Sequence, residues 1–380
     1  MEKIIFLGCT QNFPIEYTAS NTKTTYVAKG LLSQDCDVCI INSVNGHNIA
    51  SDKIDMYDGI KYYTFKSKNN RVLTVICNAF KLYKVLKLER QKNCSNNIIY
   101  CYNVYPIFLL ERFIVFISGY HFFGIIQEWH SHNKGYKISY IFNRLFDQTF
   151  GYFTRGILPI SHKLLDLCKH FKKGQMILPI LANFDNVPKE NKNIRINNSF
   201  TYCCSIEYLL RNDLVLSSFK ILIDKHFNAR LNLILIGDAH KISILKNEIE
   251  NNQLSDYVII KSQIPNQELQ DLYKKSLALL MPLNPNSFQD ITRFSQKIAE
   301  YVATSRPIIT NNVGEIPYYF TSDSALIVDY TPEAFAEGMI SLIENPQKAD
   351  FIGSNGRKVG ETYFDYKKNG KKLIEFIHNL

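Results

Sequence analysis

The chain has 380 residues, 46% of them apolar and 21% charged, which excludes a disordered or fibrous protein and makes two domains the expectation. Lys and Arg number 44 against 35 Asp and Glu, a formal net charge of +9. The surplus is uneven: residues 1–183 hold 22 basic against 12 acidic side chains, whereas residues 184–380 hold 22 against 23. Nine cysteines scattered through apolar runs argue against a disulfide framework and fit a reducing cytoplasm.

From the N-terminus, Leu7-Gly8-Cys9 imitates a lipoprotein cleavage box, but only Ile4 to Leu7 are apolar before it, too few for a signal peptide. Lys3–Gly8 therefore reads as a first strand, followed by a helix near 22–33 and a strand at 37–42. Cys36 and Cys39 have metal or redox spacing, yet the segment around them reads as that strand, and no second pair follows. A strand at 61–65, a basic helix at 79–89, a strand at 97–102, a helix after Pro106 and a strand at 123–129 come next. Phe113 to Ile126 is too short and too interrupted to span a membrane. Residues 138–155 read as a helix, and Ser161 as the N-cap of another.

Residues 184–200 are polar and rich in Asn and Lys, the composition of a linker. Beyond them strands are expected at 201–205, 231–236, 258–261, 278–282, 307–310 and 325–328. Helices fall near 212–226, 241–252, 266–275 and 296–304, with another from Thr331-Pro332 to about Glu344. Strands alternating with helices imply parallel α/β sheets, so the fold class is two doubly wound domains in series with a cleft between them as the default ligand site.

No P-loop motif occurs. Gly353-Ser-Asn-Gly356-Arg-Lys-Val-Gly360 has the wrong spacing for a dinucleotide loop and reads as a helix break. The informative block runs from Asp290 to Glu315. A helix starting near Ser295 offers free backbone N–H groups to phosphate oxygens, and Lys297 adds a positive charge in its first turn. Glu300, one turn on, suits a ribose diol. The same spacing also describes an amphipathic helix with a surface Lys and Glu. A second group, Glu128, His130 and His132, follows a strand of the first half, where ligands of open α/β sheets gather. Three ligands on one extended segment do not converge on a metal by themselves, so none is expected there.

The block Phe294-Ser295-Gln296-Lys297-Ile298-Ala299-Glu300-Tyr301-Val302-Ala303, with Pro307 and Val313-Gly314-Glu315, resembles the donor site of family 4 retaining glycosyltransferases of GT-B architecture. The 171–184 stretch resembles that family's domain crossover, Ile160-Ser161-His162-Lys163-Leu164 its helix start, and Leu231–Gly237 a strand of its donor domain. The resemblance implies an acceptor-binding domain at 1–183, a linker at 184–200 and a nucleotide-sugar-binding domain at 201–360. It also implies a C-terminal helix at 361–380 that packs back on the first domain.

Carried over, Glu300 clamps the donor ribose, and Ser295, Gln296, Lys297 and Arg211 meet its diphosphate. Thr292 stands where the family often has a glutamate on the donor sugar, and Ser205 near where it often has an arginine. His130 becomes the acceptor-side hydrogen-bond donor or proton handler facing the transferred sugar, with Glu128 and His132 beside it. The implied enzyme is a metal-independent retaining transferase of bacterial surface-polysaccharide synthesis. Its donor is a nucleotide sugar and its acceptor a glycan or lipid-diphosphate-linked glycan; no nucleic acid is expected. A nucleotide-sugar epimerase and a catalytically weakened homologue stay as rivals. The basic helix around Lys81, Lys84 and Lys87 suits an anionic leaflet, hence a cytoplasmic protein peripheral to the inner face of the membrane, but it also reads as a solvated face.

Overall fold

The computed structural model describes residues 2–8, 13–14, 19–42, 51–66, 70–101, 105–132, 137–185, 195–196, 198–211 and 213–380, without the side chains at 19, 20, 71, 137 and 211. It divides into two compact units, one formed by Met1–Leu181, Thr292–Phe294 and Tyr366–Leu380, the other by Ala182–Ile291 and Ser295–Asp365.

The first unit runs β1 (Lys3–Leu7), α1 (Ala19–Leu32), β2 (Asp37–Asn42), β3 (Lys53–Tyr57), β4 (Ile60–Thr64), α2 (Arg71–Glu89), β5 (Asn96–Tyr100) and α3 (Ile107–Ser118). It continues with β6 (His121–Ile126), α4 (Lys137–Thr149), β7 (Gly156–Pro159), α5 (His162–Cys168) and β8 (Gly174–Gln175). Its eight strands lie in the order β3-β4-β2-β1-β5-β6-β7-β8. All neighbours pair in parallel except β3 with β4. That hairpin turns on Asp58 and Gly59, at φ 52° and 81°, the two positive φ values an Asp-Gly two-residue turn supplies. Sequence periodicity missed β3, whose residues are mostly exposed. Both faces of the central strands are covered, so β1 and β5 carry buried apolar runs at Ile4–Leu7 and Ile98–Tyr100.

The second unit begins with β9 (Ser199–Ser205), so the linker expected to reach residue 200 stops short of it: Ser199 and Phe200 already pair with Arg230 and Leu231. Then follow α6 (Ile206–Arg211), α7 (Leu214–Asp224), β10 (Arg230–Ile236), α8 (Ala239–Asn251), β11 (Val258–Ser262), α9 (Asn266–Lys275) and β12 (Ala278–Met281). After these come α10 (Phe288–Thr292), α11 (Gln296–Ala303), β13 (Ile308–Thr310), α12 (Ile316–Tyr319), β14 (Leu326–Ile327), α13 (Pro332–Glu344) and α14 (Pro346–Tyr363). The six parallel strands take the order β11-β10-β9-β12-β13-β14, which reverses direction at β9. Thr331 caps α13 by accepting from the Ala334 amide at 3.1 Å, with Pro332 at the first helical position.

Two expected helices are shorter than their patterns. The 138–155 stretch leaves α-helix at Thr149 and tightens into a 3-10 turn at Phe150–Phe153, because Gly151 packs on the Phe171 ring with no room for a side chain. The 212–226 stretch begins as α7 only at Leu214, after α6 has ended at Arg211. The largest correction is at Gly353–Gly360. This is no helix break but the middle of α14, which is continuous. A Cβ on Gly353 would lie 2.2 Å from the Ser305 carbonyl oxygen, one on Gly356 2.7 Å from that of Ser324, and one on Gly360 2.6 Å from the Phe184 ring. Gly353 and Gly356 thus lie directly on neighbouring backbone, and Gly360 on an aromatic ring. The last helix, α15 (Tyr366–His378), belongs to the first unit and packs on α1, where Gly30 and Gly370 meet backbone to backbone. Cys36 and Cys39 are buried in and beside β2, and the eight described cysteines are free thiols.

Candidate functional site

In the second unit the candidate donor site is built on α11, beside β9 at the point where the strand order reverses. Such reversal points hold ligands in open α/β sheets because the flanking loops diverge there. The helix is fixed from below by Tyr301, which is fully buried. Its hydroxyl accepts from the Cys203 amide of β9 at 3.3 Å, and its ring meets Tyr273 edge-on at 4.9 Å. Buried Arg357 holds the other end, donating to the Ala303 carbonyl at 2.9 Å and the Phe184 carbonyl at 2.7 Å. A cation at a helix C-terminus satisfies orphan carbonyls and complements the dipole. Ser295 sits at the N-cap with extended backbone and makes no side-chain capping bond.

Lys297 and Glu300 stand one turn apart on α11 and both are half-buried, so neither is the solvated surface residue that the amphipathic alternative describes. Burial pushes the Glu300 carboxyl up to about 7, against the pull of the Lys297 charge. The same lysine acts on the thiols of Cys203 and Cys204, which burial raises; it therefore lies at the end of β9. Gln296 is buried at the start of the helix. Thr292 is 1% exposed and its carbonyl accepts from the Ser161 hydroxyl at 2.5 Å within the first unit. Arg211 closes α6, but its side chain lies outside the described residues.

The loop between β12 and α11 is held by residues that the sequence did not single out for a role. Asp290 accepts from the Tyr208 hydroxyl at 2.6 Å and the Asn284 amide at 2.9 Å. Asn311, after β13, accepts from the Leu283 amide at 2.8 Å and donates to the Leu283 carbonyl at 2.7 Å. Gly314, at φ 61°, lets the following turn approach the Asp290 carbonyl, which a Cβ would meet at 2.5 Å.

In the first unit, β6 ends at Ile126, three residues earlier than its pattern, and His130–His132 form a 3-10 turn. The fully buried Asp147 of α4 anchors that turn, accepting from the Ser131 amide at 2.6 Å and the His130 amide at 3.2 Å. His130 lies edge-on to Phe146 at 5.5 Å. Burial holds its imidazole below the usual histidine value, against the pull of Asp147 and Glu128. Glu128 is ion-paired with Arg293 of the same unit, a partner sequence spacing did not reveal. His132 is exposed. Among the described residues no group of three His, Cys, Asp or Glu side chains is placed to hold a metal. Asp147→Ala should strand two part-buried amides and cost about 1–3 kcal/mol, read as a lowered melting temperature.

Residues 190–359 match the family model described as glycosyl transferases group 1. No curated protein matches the chain by sequence. Solved structures do match in fold. An Anabaena protein, HepE, in complex with UDP and glucose, superposes with a TM-score of 0.74 at 11% identity over 100% of both chains. Sucrose-phosphate synthase from Thermosynechococcus elongatus gives 0.71 at 12%, over 100% of this chain and 98% of that one. A glycosyltransferase from Rickettsia africae gives 0.68 at 15%, over 98% and 97%. With its two parallel-sheet Rossmann-like units the chain has the GT-B fold, and its segment 190–359 is the part that matches glycosyl transferases group 1.

Proposed function

We propose that this protein is a retaining glycosyltransferase that takes a sugar from a nucleoside diphosphate donor. The observation that carries the reading is the half-buried Lys297–Glu300 pair at the start of α11, at the sheet reversal and inside the matched segment. HepE holds UDP in one structure and UDP-glucose in another, which supports a donor of that class. Cleavage of the sugar–phosphate bond leaves negative charge on the departing diphosphate. Lys297 and the positive end of α11 are aimed at that charge and stabilise it most in the transition state. A lysine and helix amides supply this without a divalent ion, so turnover should survive a chelator.

Glu300 accepts from the ribose hydroxyls. Retention follows from attack on the face the diphosphate leaves, with a phosphate oxygen taking the acceptor proton. The acceptor, a glycan or lipid-linked glycan of a bacterial surface polysaccharide, is assigned to the first unit, with His130 as its hydrogen-bonding group. Purified protein with a panel of nucleotide sugars and glycan acceptors tests this: nucleoside diphosphate release with an axial-type product linkage by NMR is expected. Sugar isomerisation without release would establish an epimerase instead.

The Glu300 carboxyl adds a pH test. It binds ribose as the carboxylate, and its value of about 7 means that the charged form grows as pH rises through neutrality. Nucleoside diphosphate affinity should therefore strengthen between pH 6 and pH 8, and Glu300→Gln should flatten that slope in titration calorimetry.

A further inference from the structure

Three helices of the first unit present an outward face unlike that of an ordinary water-facing helix. Strand connections β4 to β5, β5 to β6 and β6 to β7 advance across the sheet in one direction, while β1 to β2 goes the other way. With right-handed crossovers, α2, α3 and α4 lie on one face of the sheet and α1 on the opposite face. The three are contiguous: α2 packs on α3, and α3 meets α4 where Phe108 and Phe146 cross edge-on at 5.1 Å.

Each helix turns large apolar side chains to solvent. On α3 the exposed positions are Leu109, Phe113, Phe116 and Ile117, one stripe with no polar side chain, and Phe116 is 67% exposed. On α2 the first three turns expose Val72, Leu73, Ile76 and Phe80, the last at 69%. On α4 the stripe is Ile138, Ile141, Phe142 and Leu145. Among the described residues the second unit exposes large apolar side chains at scattered places such as Ile244 and Phe351. A contiguous apolar area of this size on a folded protein marks a docking surface.

Charge placement selects the occupant. These helices hold three acidic residues, and all point inward. Glu111 is 1% exposed and accepts from the Tyr100 hydroxyl at 2.6 Å. Asp147 anchors the His130 turn. Glu89 is bound by Lys3, Lys61 and Tyr63, which hold its carboxyl at about 2 although burial pushes it up. The cations on the same helices remain at the surface: Lys84 and Lys87 continue the α2 stripe and Arg144 flanks that of α4. Lys81 and Arg112 are the exceptions: Lys81 is paired with Asp52 at 2.6 Å, and the part-buried Arg112 of α3 donates to the Phe153 carbonyl at 2.8 Å. An apolar face with basic flanks and its carboxylates turned away is the pattern of an element lying in a membrane interface. Among the described residues no helix is long and apolar enough to cross a membrane.

We propose that the α2–α3–α4 face seats this protein on a bilayer containing anionic lipid, with Phe113 and Phe116 entering the acyl boundary and Lys84 and Lys87 meeting headgroup phosphates. The test is co-sedimentation of the full chain, without substrate, with vesicles of phosphatidylcholine alone or mixed with phosphatidylglycerol. Binding is expected to the mixed vesicles, weakened by salt, at least about twentyfold weaker for Lys84→Glu/Lys87→Glu, and lost in Phe113→Ser/Phe116→Ser with an unchanged melting temperature. Failure to bind mixed vesicles, or equal binding by both variants, would overturn the proposal. So would a wild-type dimer in solution that Phe113→Ser/Phe116→Ser dissolves, because the face would then belong to a second copy.

Discussion

Lys297→Ala should lower kcat/KM for nucleotide-sugar turnover by about 10²–10³-fold, the loss typical of removing one charge-stabilising group from a transition state. The split between kcat and KM carries the argument. A lysine that only binds ground-state diphosphate would raise KM and leave kcat intact, whereas one aimed at the leaving group lowers kcat. Lys297→Arg keeps the charge but replaces a point cation by a wider planar fork on a half-buried site, so partial recovery is expected. The substitution should not reduce stability, because α11 is held by Tyr301 and Arg357 at positions Lys297 does not touch.

Gly353→Ala should destabilise the second unit, the opposite of what helix propensity says. An alanine in the middle of α14 gains about 1 kcal/mol over glycine from backbone entropy. At this position its Cβ would lie 2.2 Å from the Ser305 carbonyl oxygen and 2.9 Å from its carbon, and backbone cannot rotate aside. Overpacking of this kind costs about 1–3 kcal/mol, or a melting temperature lower by several degrees. Gly338→Ala is the control. It is also mid-helix, on α13, but its Cβ would meet Leu326, Val328 and Ile309 methyls at 3.4–3.5 Å, ordinary contact. Its melting temperature should stay or rise. Equal shifts for the two variants would show that the close approach of α14 to residue 305 does not govern stability.

These glycines mark where sequence reading stops. The alternation of strands and helices was legible because parallel strands covered on both faces carry apolar runs, as at Ile4–Leu7 and Leu233–Leu235. Capping chemistry placed α5 and α13, since Ser161 and Thr331 each accept an amide three residues on. A glycine row inside a helix has no such local signature; its reason is the set of neighbours Ser305, Ser324 and Phe184, all distant in the chain. The hairpin at β3–β4 did carry a signal, Asp58-Gly59, which an alternating-pattern search passes over when one strand is exposed.

The candidate site divides in the same way. Lys297 and Glu300 were visible from their place in a helix after a strand. Asp147 under His130, Arg293 on Glu128, and Asp290 with Tyr208 were not, because each joins residues brought together only by folding. The basic surplus of the first half also gains a location. Its carboxylates on α2, α3 and α4 are spent inward on Lys3, Tyr100 and the His130 turn, while Lys84, Lys87 and Arg144 stay outside.

The most direct measurement of the central claim is titration calorimetry of UDP and UDP-glucose into the wild-type chain, Lys297→Ala and Glu300→Gln, followed by a nucleoside diphosphate release assay on the same samples. Binding of a uridine or another nucleoside diphosphate by the wild type, weakened in both variants, with acceptor-dependent release that Lys297→Ala abolishes, is the predicted result. Release that is unchanged in both variants would contradict it.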